Sequence, residues 1–146
     1  MLPRPFVFLV VSLGVLGPGM CDSPTSGIKD GVIQGTWGGE NAAIIADDTS
    51  AHVHIGCTYG NVHQPIVPDH DGYFNVPGEQ NITAHPVDLG IMHPARFSGR
   101  AIDGRIRLTI TLTDTTVTLG PVDVLYGKEP RMGPCPICRP GMRRGR

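Results

Sequence analysis

His52 and His54, two residues apart, and four cysteines at positions 21, 57, 135 and 138 are the side chains of this chain best equipped for chemistry. Residues two apart on an extended strand share one face, the spacing by which barrel enzymes present paired imidazoles to a metal. Val53, Ile55 and Cys57 alternate with the histidines and claim the inward face by their apolar character, which turns both imidazoles toward solvent. On that ground no metal ligand set is nominated. His63, His70, His85 and His93 fall in expected turns or strand ends and join the pair only where the fold gathers them. Asp69 and Asp71 flank His70 in a turn that needs Asp and Gly for its backbone, and the turn lacks the length and terminal Glu of a calcium loop. No nucleophile elbow, phosphate loop, dinucleotide fingerprint or His-Glu-x-x-His occurs, so no catalytic residue and no cofactor is expected.

The cysteines admit three chemistries. In an oxidising compartment Cys57 closes onto Cys135 or Cys138, and a loop of that size contributes on the order of 3–5 kcal/mol. Cys135-Pro136-Ile137-Cys138 is similar to the Cys-Pro-x-Cys of thioredoxin-type oxidoreductases, which implies a reactive first thiol. That chemistry needs a helix N-terminus to favour the thiolate, and only eight residues follow Cys138. A structural zinc site needs four ligands, and no second Cys-x-x-Cys is present.

The elements around these residues begin with an address. Residues 1–5 carry one charge, Arg4, and the apolar run 6–16 ends at Gly17, Pro18 and Gly19. A short basic start, an apolar core too short to span a bilayer and then small residues predict a signal peptide over 1–21. Cys21 stands where a lipoprotein carries its acylated cysteine, although Met20 is bulky for that cleavage site. The product is expected to be secreted or periplasmic, with lipid anchoring through Cys21 as the alternative. Residues 22–31 read as a flexible linker.

From Val32 onward apolar residues recur at every second position, the period of a half-buried strand. Ile106, Leu108, Ile110 and Leu112 point one way and Arg105, Arg107, Thr109 and Thr111 the other. Asp103-Gly104 is a hairpin signal, and Pro121 implies a bulge or an edge. Strands are expected at 32–37, 42–46, 51–57, 62–67, 73–76, 96–101, 105–112 and 116–126. The stretch 78–94 is expected to be one long loop. Eight antiparallel strands without crossover helices predict an all-β domain over 32–127, a small antiparallel barrel, with a two-layer β-sandwich as the alternative. A single closed domain fits 146 residues and excludes a large multi-cofactor enzyme or a polytopic membrane protein.

Gly35-Thr36-Trp37 resembles the Gly-x-Trp opening of lipocalins and other calycin barrels, which implies that Trp37 packs across the closed end. More of the chain, from Gly35 to Leu125, resembles a group of small exported bacterial β-proteins of unknown function. The likeness rests on Thr36-Trp-Gly-Gly39, Cys57 with Tyr59-Gly60, Gln64-Pro65, Asp71-Gly-Tyr-Phe74, Pro94-Ala-Arg-Phe-Ser-Gly99 and Leu108-Thr-Ile-Thr-Leu112. It implies export and β-architecture and brings no catalytic residues.

Charge is polarised along the chain. The overall balance is -1, yet residues 22–130 hold six basic against thirteen acidic residues and the last sixteen hold five arginines and no acid. Residues 128–146 therefore read as a solvated basic tail, and the near-neutral total gives no footing for nucleic-acid binding. The function expected is that of an exported, non-catalytic and monomeric barrel that binds a small apolar ligand or a cell-envelope partner. The alternatives are a structural envelope protein with a filled core, and a metal-dependent or thiol redox enzyme using His52, His54 or the C-terminal cysteines.

Overall fold

The computed structural model describes residues 27–136. Residues 1–21, expected as a signal peptide and including Cys21, and Cys138 lie outside the described residues. A two-stranded hairpin, β1 (Ile28–Lys29) and β2 (Val32–Ile33), leads into eight strands: β3 (Gly35–Gly39), β4 (Ala42–Ala46), β5 (Ala51–Ile55), β6 (Thr58–Val62), β7 (Tyr73–Asn81), β8 (His93–Ile102), β9 (Arg105–Leu112) and β10 (Thr118–Tyr126). Each neighbouring pair is antiparallel, and β10 returns to pair with β3, closing the barrel. That pairing sets aside the sandwich alternative. Among the described residues no helix is long and apolar enough to cross a membrane.

The interior is lined with buried apolar side chains. Trp37, Val53, Val62, Phe97, Ile106, Leu108, Ile110, Leu112 and Val124 are all fully buried. Large side chains are seated against small ones. A Cβ on Gly78 would run into the Phe97 ring, and one on Gly60 would meet both Phe97 and the Gln80 side chain. Large-against-small matching of this kind is how a narrow barrel approaches interior packing density. Trp37 is held between Tyr126, whose ring lies edge-on at 5.2 Å, and Gly27 of the leading hairpin. Its indole Nε1 donates to the Gln34 carbonyl at 3.2 Å.

Several boundaries differ from the sequence expectations, each for a local reason. Gly56 adopts a left-handed φ of 57°, so β5 ends at Ile55 and a two-residue hairpin places Cys57 in the turn and not on an inward strand position. The next strand therefore starts at Thr58, and 63–72 runs without strand pairing through Pro65 and Pro68, which cannot donate to a ladder. β7 and β8 extend across Pro77 and Pro94, and the long loop shrinks from the expected 78–94 to 82–92. Residues 27–31, expected as linker, form a hairpin in which the Gln34 N–H donates to the Gly27 carbonyl at 2.8 Å. The bulge expected at Pro121 is present as a register shift between Leu119 and Val122.

The segment after β10 is a strap rather than a free tail over its described part. Arg131 exchanges hydrogen bonds with Gly39 and Asn41, and the Gly133 N–H donates to Asn41 Oδ1 at 2.7 Å. Cys57 and Cys135 then close a disulfide, Cα atoms 5.5 Å apart and 78 residues apart in sequence. Of the two partners expected for Cys57, the chain uses Cys135.

Candidate functional site: the outer face of β5 to β7

The register of β4 to β7 builds two rows, one residue out of phase. The inward row is Ile44, Val53, Gly60 and Gln80; the outward row is Ala43, His54, Tyr59 and Asn81. One step along, His52 lies opposite Asn61, and Asn61 opposite Glu79. Alternation thus places both histidines outside, as expected. They are nevertheless half-buried rather than freely solvated, because their side chains fold onto one another and onto Tyr59.

The two Nε2 atoms are 2.9 Å apart. His52 Nδ1 lies 2.7 Å from Asn61 Oδ1, so its N–H donates to that carbonyl and the lone pair is left on Nε2. Burial, and then the neighbouring His52, hold the His54 pKa below its usual 6.5, while the Thr58 backbone acts in the opposite sense.

Beside the pair, a second network pins loop 82–92. Tyr59 Oη donates to Asp88 Oδ2 at 2.9 Å, and Asn81 Nδ2 donates to Asp88 Oδ1 at 2.8 Å. The Gly90 N–H reaches the same oxygen at 2.7 Å, and the Thr83 N–H donates to Asn81 Oδ1 at 2.8 Å. These donors, Gly90 first, keep the Asp88 carboxyl below its usual 3.8. Held in this way, the loop presents Val87, Leu89 and Ile91 to solvent at 56%, 67% and 46% exposure. The charge-assisted bonds to Asp88 fix the loop backbone that carries these apolar side chains outward.

The other candidate residues do not join this site. His63 pairs with Glu79 at 3.0 Å, His93 with Asp114 at 2.7 Å and His70 with Asp71 at 3.1 Å. Asp69, His70 and Asp71 form an exposed cluster of potential ligand atoms. Asp69 Oδ1 accepts from the backbone N–H groups of Asp71 and Tyr73, the turn role expected for it. Cys135 is bonded to Cys57, so it offers neither a thiolate for exchange nor a zinc ligand while that bond stands.

Sequence reasoning missed Tyr59, Asn61, Asn81 and Asp88. The first three lie on strands at the outward parity of the histidines, a signal readable only once Gly56 is known to end β5. Comparison with protein-family models, curated proteins and solved structures finds no match to the chain. The small eight-stranded antiparallel barrel is consistent with a calycin-like fold.

Proposed function

We propose that the protein is an exported, non-catalytic barrel that acts through its outer surface by binding a cell-envelope partner. The observation that supports this reading is the filled interior: fully buried Trp37, Phe97, Ile106, Leu108 and Ile110 occupy the volume where a calycin-type barrel would hold an apolar ligand. Export is supported by the Cys57–Cys135 bond, since such bonds persist in oxidising compartments, and by the likeness to small exported bacterial proteins. Lipid anchoring through Cys21 is compatible with the same reading. Loop 82–92 is the docking element we assign, because Val87, Leu89 and Ile91 are exposed together while Asp88 fixes the backbone that carries them.

The test is co-sedimentation of the purified protein with isolated cell-envelope fractions of the bacterium that makes it. The wild type is expected to sediment with the envelope, and Val87→Asp/Leu89→Asp to stay in solution with its near-ultraviolet circular dichroism unchanged. Equal sedimentation of both proteins would overturn the role given to the loop, and no sedimentation of either would overturn the envelope reading.

A further inference from the structure

The His52–His54 pair carries an inference that does not depend on the envelope reading. We propose that these two residues form a binding site for a divalent transition-metal ion, copper(II) in preference to zinc(II), on the outer face of the barrel.

His52 Nδ1 is committed as a donor to Asn61 Oδ1 at 2.7 Å, which leaves the His52 Nε2 lone pair directed at His54 Nε2, 2.9 Å away. In the neutral pair the His54 Nε2–H donates to that lone pair, so one proton is held between the two nitrogens. A metal ion that displaces this proton to solvent bonds to both nitrogens in place of one hydrogen bond.

Geometry then selects the ion. Two nitrogens bound at about 2.0–2.1 Å with a right angle between the bonds are about 2.8–3.0 Å apart, whereas a tetrahedral angle sets them about 3.3–3.4 Å apart. The spacing of 2.9 Å matches the right angle, the arrangement of a tetragonal copper(II) site, and copper(II) heads the affinity order for nitrogen ligands. Donation from the distal ring nitrogen to a carbonyl is the support that orients metal-binding histidines and raises their basicity, and Asn61 supplies it to His52. Strand geometry holds the two rings on one face, and the Tyr59 ring beside both limits their rotation. A depression lined by Ile45, Asp47, Ser50, His52, Asn61 and His63 opens beside the His52 ring.

The experiment uses the full chain, oxidised so that Cys57–Cys135 is intact, with its remaining thiols alkylated. Copper(II) is titrated in and followed by electron paramagnetic resonance, with affinity taken from competition against a chelator. One equivalent is expected to give a tetragonal spectrum with splitting from two imidazole nitrogens, and zinc(II) is expected to compete only at higher concentration. His52→Asn and His54→Asn should each abolish that spectrum while leaving the fold intact, because both side chains lie outside the core. Asn61→Ala, which removes the orienting carbonyl but no ligand, should weaken binding about 10–100-fold. A two-nitrogen spectrum that survives in both histidine variants, or failure of the wild type to bind one equivalent, would overturn the proposal.

Discussion

The two faces of β4 to β7 are built from the same four strands, one residue out of phase, and follow different rules. On the inside, Ile44, Val53, Gly60 and Gln80 are placed by volume, with glycine admitted where Phe97 needs room. On the outside, His54, Tyr59 and Asn81, with His52 and Asn61 beside them, are placed by hydrogen bonds that run from ring to ring and out to Asp88. Apolar packing fills the inward face, and the outer network gathers polar and ring groups on the opposite one.

That contrast predicts unequal consequences. Phe97→Ala should cost about 3–5 kcal/mol, since glycine neighbours cannot grow into the space it leaves, and a shift of the urea midpoint at constant slope will measure it. Next comes the strap: a Cys57→Ser/Cys135→Ser variant removes closure of the 78-residue loop and should lower stability by about 2–5 kcal/mol in the same assay. Gly78→Val should cost about 1–3 kcal/mol by forcing Phe97 off its seat. At the other extreme, His52→Asn should change stability by no more than about 0.5 kcal/mol. An outer-face loss as large as that of Phe97→Ala would erase the distinction between the two faces.

The smallest effect concerns loop 82–92. The Asp88 carboxyl is held below 3.8, so it binds fewer protons folded than unfolded, and its support of the loop is complete above that value. The support is lost as pH falls through the depressed folded value. Protection of the Gly90 and Thr83 amides, measured relative to their intrinsic exchange rates, should therefore persist at pH 5 and fall at more acid pH, whereas Asp88→Ala should lower it at both. Acid release of the barrel core at the same pH as the loop would contradict a local role for Asp88.

What the sequence disclosed follows the same division. The strands Ala42–Ala46 and Arg105–Leu112 have the bounds expected, because alternation with one buried face specifies register strongly. The barrel itself was legible for that reason. Thr58–Val62 was not, because a single left-handed glycine at position 56 starts the strand earlier, and its glycine and polar residues carry little apolar alternation. Residues 28–31 and the strap to Cys135 were read as linker and tail, since the two-residue strands of the first hairpin are too short to show alternation and the strap is held by bonds to Gly39 and Asn41, far along the chain. For the candidate site, spacing correctly placed His52 and His54 on one outward face. Their Nε2 atoms meet because Asn61 and Tyr59 turn the rings, and side-chain torsion angles set by a neighbouring strand leave no mark on the spacing of two residues within one strand.

The claim on which this account rests is that the barrel is filled and works from its outside. It is tested most directly by following the methyl resonances of Val53, Ile106, Leu108 and Ile110 during titration with a lipophilic probe such as N-phenylnaphthylamine. The account predicts that these resonances and the emission of Trp37 stay unchanged to saturating probe. Saturable shifts of the core methyls, with quenching of Trp37, would show a ligand inside the barrel and contradict it.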